Sequence, residues 1–132
     1  AHRDVEEDMQ YIAEFLDVVP MTWGSLGQGI LTGKYDASVH FEKNDRRSRT
    51  IYDNFYGEKL QKNLAIVEKM RPVAEKHGVS VASVAVRFIL DHLENSVVIT
   101  GMKNPRQAEG NAQALTFRLD SEDIALLEEV SR

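Results

Sequence analysis

Four stretches of the chain place apolar residues at helical spacing, and two shorter runs are apolar with little alternation. In residues 5–15, Val5, Met9, Ile12 and Ala13 line one side of an amphipathic helix whose acidic first turn suits the positive end of the helix dipole. Leu60, Leu64, Val67, Met70 and Ala74 mark one face of a longer helix, for which Gly78, following His77, is a natural left-handed stop. Val81, Val84, Ala85, Phe88 and Ile89 give the i, i+3, i+4, i+7, i+8 stripe of a core-facing helix, with Ser80 as its cap and its last residues near Leu93. A final helix starts at Asp120 or Ser121 and carries Ile124, Leu127 and Val130. The run Val18, Val19, Pro20, Met21 is too brief for a helix and predicts a buried strand feeding a glycine-rich turn. Residues 96–100 (Ser-Val-Val-Ile-Thr) are β-branched and predict a strand buried on both faces, as in parallel sheets covered by helices. Asn104 and Pro105 then supply the cap and first-turn proline of another helix, with Gln107 where a capping box places its second member.

Helix, strand, helices, strand, helix, helix is the order of an α/β protein with parallel strands joined by right-handed crossovers. Two parallel strands leave both edges open, so the pattern predicts part of a sheet rather than a stand-alone domain. Residues 36–57 are polar and aperiodic; a loop of that length is either disordered or an excursion that covers a ligand, and it is the lid candidate. No repeat of 20–50 residues offers another organisation.

Composition narrows the classes. With 42% hydrophobic and 28% charged residues the 132-residue chain reads as a soluble globular protein. A formal charge of −5 gives no global attraction to nucleic acid or to an anionic membrane, and only residues 43–49 form a local basic run. Cysteine is absent, which removes disulfides and thiolate chemistry and makes the cytoplasm the default compartment. The apolar stretch at 79–90 is interrupted by Arg87 and too short to span a bilayer. His2, His40, His77 and His92 are scattered without a metal-ligand spacing, so no metal is expected. The acidic pairs Glu6/Glu7 and Glu128/Glu129 are adjacent in helices, point in different directions, and read as surface.

Candidate chemistry falls at the carboxyl ends of the two strands, where α/β sheets bind ligands. The first turn runs from Thr22 to Lys34 and holds Trp23, Gly24, Ser25, Leu26, Gly27, Gln28, Gly29 and Gly33. Its glycines allow backbone N–H groups to approach a phosphate, Lys34 adds a positive charge, and Trp23 adds a flat apolar face. Composition alone reads it equally well as a flexible loop around a core tryptophan. The second turn, Thr100-Gly101-Met102-Lys103-Asn104-Pro105-Arg106-Gln107, sets two cations at a helix amino terminus, an anion site unless Gln107 merely closes a cap and the cations are solvated. Lys43, Arg46, Arg47 and Arg49 are either a pyrophosphate clamp from the long loop or a solvated basic face, with Tyr52, Phe55 and Tyr56 arguing that the loop packs on something.

Together the two turns resemble the aldo-keto reductase superfamily, from about residue 2 to the end of the chain. Residues 23–34 are similar to the aromatic-Ser-Pro-Leu-x-x-Gly-Leu-Leu-Thr-Gly-Lys block after the seventh barrel strand. Gly101 to Asn111 resemble the Gly-Ala-Arg-x-Pro-x-Gln-x-x-x-Asn signature after the eighth. Gly24-Ser25, Asp45-Arg46-Arg47 and the string at 86–90 look most like the bacterial general-stress-protein branch.

The resemblance implies the carboxy-terminal, cofactor-binding portion of a (β/α)8 TIM barrel, about two strands and their helices across residues 1–132, incomplete as a barrel that commonly needs about 250 residues. It implies NADPH as cofactor and a small-molecule carbonyl as substrate. By position, Trp23 stacks on the nicotinamide; the backbone of Gly24, Ser25, Leu26 and Gln28 and the Lys34 ammonium line the pyrophosphate, with Arg47 a further contact. Gly101 opens the second turn, Lys103 meets the 2′-phosphate, and Gln107 and Asn111 reach the ribose phosphate and adenine. Gly110 stands where the family often has an acidic residue, and Gly24 where it often has serine. The family's catalytic Tyr, Lys, Asp and His come from early strands, so Tyr11, Tyr35, Tyr52 and Tyr56 take no catalytic role and no catalytic residue is assigned. The expected partners are the missing barrel half, or other copies of the chain covering the open edges. The alternatives are a non-catalytic nucleotide-binding or assembly module of the same fold, and a helical interaction domain.

Overall fold

A computed structural model describes residues 3, 6–93 and 95–132 of the chain. Five α-helices and two strands are found among them: α1 (Glu6–Leu16), β1 (Met21–Thr22), α2 (Gly57–His77), α3 (Val81–His92), β2 (Val97–Val98), α4 (Pro105–Ala112) and α5 (Ser121–Ser131). The strands are parallel, with Met21 beside Val97 and Thr22 beside Val98, and α2 and α3 form the crossover between them.

Helix ends follow the local chemistry read from the sequence. Gly78 takes φ +64°, its N–H bonds Glu75 O, and the Val79 N–H reaches back to Ala74 O, the double closure of a Schellman stop. Ser80 Oγ accepts the Ser83 N–H at 3.0 Å to start α3. Asp120 and Asp123 cap each other's backbone at the start of α5. At α4 the outcome differs: Asn104 accepts the Gln107 N–H at 2.9 Å, but Gln107 Oε1 accepts from the Lys103 N–H at 2.7 Å rather than from its cap residue, so the box closes one residue early.

The core lies among helices rather than on the sheet. Val67, Met70, Val73 and Ala74 of α2, Val84 and Ala85 of α3 and Leu127 of α5 pack with Ile30, Leu31, Phe55 and Leu119. Both strand expectations are corrected. The predicted strand at 96–100 shrinks to Val97–Val98, with Val97 43% and Ile99 47% exposed, and that at 18–21 moves to Met21–Thr22, with Val18, Val19 and Met21 exposed. A strand of a parallel sheet is buried only by neighbours on its edges and layers on its faces, and among the described residues each strand has one neighbour. The same holds for α1, which has no buried residue; Ile12 is exposed, and Val5 lies outside the described residues, as does His2.

Polar contacts hold the helices in place. Arg3 pairs with Glu6 and donates to Ser131 Oγ at 2.7 Å, and His92 sits between Glu6 and Glu128, 3.2 Å from the latter. Glu6 and Glu128 are therefore not surface carboxylates as the sequence suggested; they tie α1 and α5 to the end of α3. At the other end of α5, Lys76 Nζ contacts Asp120 at 2.5 Å and Asp123 at 3.0 Å, and His77 Nε2 lies 2.7 Å from Asp123. Burial pushes the Asp123 carboxyl up, but hydrogen bonds from His77 and Lys76 outweigh it and hold it below its ordinary value; Asp120 is lowered mainly by its bond to Lys76. A carboxyl whose folded pKa is depressed contributes stability that is full above its unfolded value, 3.8, and is lost as pH falls through the folded one. Melting temperature is thus expected to drop on acidification below about pH 4, with a shallower drop in Asp123→Asn. Parallel profiles for the two proteins would exclude this clasp as an acid-sensitive element.

Candidate functional site

Both strands end on the turns singled out in the sequence, side by side. The Ile99 N–H donates to Thr22 O at 2.9 Å, and Ser25 Oγ donates to Ile99 O at 3.3 Å, so the first turn is fastened to the start of the second. Trp23 is 84% exposed, which excludes a core tryptophan. It lines, with Gly24, Gly27, Gln28, Ile66, Phe88 and Leu127, an apolar groove of about 500 Å³.

The glycine-rich stretch is not a floppy loop. Residues Gly27–Thr32 wind into a 3-10 turn with a kink at Gln28 (φ +55°) and Gly29 (φ +101°), followed by Gly33 in the left-handed region. At Gly27 (φ +55°) a Cβ would lie 2.9 Å from the Ile30 side chain, so glycine there is required by conformation and by space. Gly24, also at positive φ, turns the chain away from β1, and the N–H groups of Gly24, Ser25 and Leu26 donate to nothing among the described residues. A run of unpaired, closely spaced N–H donors is suited to an oxyanion.

The long segment 36–57 packs over this turn. Its two 3-10 turns, Arg46–Ser48 and Asp53–Phe55, bury Phe55, and Tyr35, Phe41 and Phe55 meet edge to face. Arg47 sits among these rings, 4.3 Å from the Phe41 centroid. Its Nε and Nη2 donate to Asp45 at 2.9 and 2.5 Å, and Nη1 donates to the Tyr35 hydroxyl at 2.6 Å. Hydrogen bonds from Arg47 hold Asp45 far below the usual carboxylate range, with a smaller contribution from the charge of Lys103. Nη1 of Arg47 would lie 4.0 Å from a Cβ on Gly29, so the guanidinium stands directly over the glycine turn. Lys34 Nζ lies 4.8 Å from the centre of the same Tyr35 ring. Of the basic run, Arg47 is half-buried and caged, while Lys43, Arg46 and Arg49 are exposed.

In the second turn Gly101, Lys103, Arg106 and Gln107 are exposed. Asn111 Nδ2 donates to Thr100 Oγ1 at 3.1 Å, and Ser83 Oγ donates to Gly110 O at 2.8 Å, which fixes α4 against α3. The residues of the two turns are not all drawn into one cavity: the groove at Trp23 includes Gly24, Ser25 and Gln28 but not Lys34, Arg47, Lys103, Gln107 or Asn111. The two turns are linked through the strand pair by the Ser25 to Ile99 bond, and the charge of Lys103 is felt at Asp45. Asp45, singled out in the sequence only beside Arg46 and Arg47 as part of the resemblance, holds the Arg47 guanidinium; the supporting contacts of Tyr35, Asn54 and Asn63 left no signal in the sequence.

Parallel strands with their helices, and glycine-bearing turns at the carboxyl ends, define a portion of a (β/α)8 barrel that is not closed. The chain belongs to the aldo-keto reductase family, matching the Aldo/keto reductase family over residues 1–132. It is 32% identical over 119 residues to the aldo-keto reductase str7 of Strobilurus tenacellus, covering 90% of this chain and 35% of that protein. It is 30% identical over 122 residues to the aldo-keto reductase YhdN of Bacillus subtilis, covering 92% and 36% respectively. The glycerol dehydrogenase AKR11B4 from Gluconobacter oxydans superposes with a TM-score of 0.86 at 30% identity, over 98% of this chain and 38% of that one. The chain thus spans little more than a third of the length of these relatives. No helix among the described residues is long and apolar enough to cross a membrane.

Proposed function

We propose that this chain is the cofactor-binding part of an NADPH-dependent oxidoreductase that reduces aldehydes or ketones. The observation that carries the reading is the juxtaposition at the strand ends: an exposed indole and a row of unpaired N–H groups on one turn, and Lys103 with Arg106 at a helix start on the other, fastened by the Ser25 to Ile99 bond. The donor set matches a phosphorylated dinucleotide. Trp23 offers a face for the nicotinamide, and the backbone of Gly24 to Gln28 with Lys34 and Arg47 suits the pyrophosphate. Lys103 suits the 2′-phosphate, with Gln107 and Asn111 toward the ribose phosphate and adenine. When bound, the cofactor supplies hydride; the residues of this chain bind and orient it, and none is assigned to proton transfer. The substrate is a small carbonyl compound, and the compartment is the cytoplasm.

NADPH titration of the intact protein containing this chain, followed by nicotinamide fluorescence, is the direct test. Saturable binding that favours NADPH over NADH is expected, as is NADPH oxidation with a small aldehyde. No binding at millimolar cofactor would exclude the reading; binding without turnover across a panel of aldehydes and ketones would favour a nucleotide-binding or assembly role instead.

A further inference from the structure

Two buried amides beneath the glycine turn are not used by the reading above. Asn63, on α2, is fully buried, and its Nδ2 donates to Asn54 O at 3.1 Å and to Asn54 Oδ1 at 3.3 Å. Asn54, 6% exposed, donates from Nδ2 to Gln28 Oε1 at 2.6 Å. Buried polar side chains are costly unless their bonds are made, and a chain of bonded amides has a direction. Because Asn54 Oδ1 receives an N–H from Asn63, the far end of Asn54 is its NH2 group. The end of Gln28 that faces it must then be the oxygen. Gln28 Nε2 is left turned away from the relay, and it donates to nothing among the described residues. The Gln28 backbone, held at φ +55° between Gly27 and Gly29, keeps this amide at the edge of the groove that Trp23 and Asn54 also line.

We propose that Asn63 and Asn54 are positioning residues that set the polarity of Gln28, so that its side chain presents N–H donors to an acceptor oxygen of the ligand. Beside the unpaired N–H groups of Gly24, Ser25 and Leu26 and the caged Arg47, that acceptor is a phosphate oxygen of the dinucleotide bridge. The inference rests on the cofactor reading but assigns something more: a side-chain donor, and a buried relay that prevents the amide from turning its oxygen outward.

The test compares NADPH with adenosine 2′-phosphate, which carries the adenine end and the 2′-phosphate but no phosphate of the dinucleotide bridge, by calorimetry on the intact protein. Gln28→Met removes the donors without adding charge at an exposed position, and is expected to weaken NADPH about tenfold while leaving adenosine 2′-phosphate unchanged. Asn54→Asp keeps the acceptor for Asn63 but accepts from Gln28 Nε2, turning the glutamine oxygen outward. It is expected to weaken NADPH at least as much, again with adenosine 2′-phosphate little altered, and to lower the melting temperature, because a carboxylate replaces a buried amide. NADPH binding by Gln28→Met at wild-type strength, or equal weakening of both ligands in Asn54→Asp, overturns the relay while leaving the cofactor reading standing. A wild-type protein that binds neither ligand overturns both.

Discussion

Arg87→Ala is expected to destabilise the protein by about 3 kcal/mol, toward the lower end of the range for breaking a buried ion pair. Arg87 and Asp91 stand one turn apart on α3 with nearly all of both side chains inaccessible. Nε and Nη2 of the arginine bond the two carboxylate oxygens at 2.8 and 2.5 Å, and Nη1 reaches Ala114 O at 3.3 Å. Removing the guanidinium leaves a buried carboxylate with only the Leu119 N–H at 3.0 Å and the exposed Arg118 at 3.2 Å. Those two remaining donors are why the loss falls short of the full cost. Asp91 also receives the chain just before α5, so the damage extends from α3 to the start of the last helix. Chemical denaturation of Arg87→Ala and of Arg87→Ala/Asp91→Ala checks the account: the double variant should recover part of the lost stability, since no buried charge is then stranded. A double variant less stable than the single one would mean that packing of the arginine stem, not charge, dominates.

Lys103→Ala should weaken NADPH by about ten- to a hundredfold, the worth of a charge-assisted bond to a phosphate, while NADH affinity stays within about twofold. The side chain is exposed and makes no hydrogen bond or ion pair among the described residues, so its loss costs the fold little. Its backbone N–H is held by Gln107 Oε1, which is itself fixed by Asn104, so the ammonium projects from a rigid helix start. Equilibrium titration with both cofactors decides the matter. Equal losses for the two would place Lys103 away from the 2′-phosphate and remove the basis for the predicted cofactor preference.

Local rules carried most of the fold reading. Gly78, Ser80, Asn104 and Asp120 act at the helix ends where the sequence set them, because a cap or a left-handed stop depends on a few neighbouring residues. The stripe Val84, Ala85 and Phe88 faces the core for the same reason: a helical period needs no distant partner to be recognised. The strands are shorter and more exposed than their sequence suggests, since β-branched composition reports what a strand is suited to, whereas its burial depends on neighbours supplied from elsewhere. The basic run was ambiguous because sequence cannot separate one caged guanidinium from three solvated cations; only the rings of Tyr35, Phe41 and Phe55 do so.

By itself the sequence determined the element order, the helix caps and stops at Gly78, Ser80, Asn104 and Asp120, and the two glycine-bearing turns with their cations, all of which follow from short-range chemistry. The tertiary structure alone decided that the core lies between helices, that Arg47 stands over Gly29, and that two buried asparagines orient Gln28. Those facts depend on residues far apart in the chain, such as Gln28, Asn54 and Asn63, whose meeting is settled by packing and by the need of every buried amide for a partner.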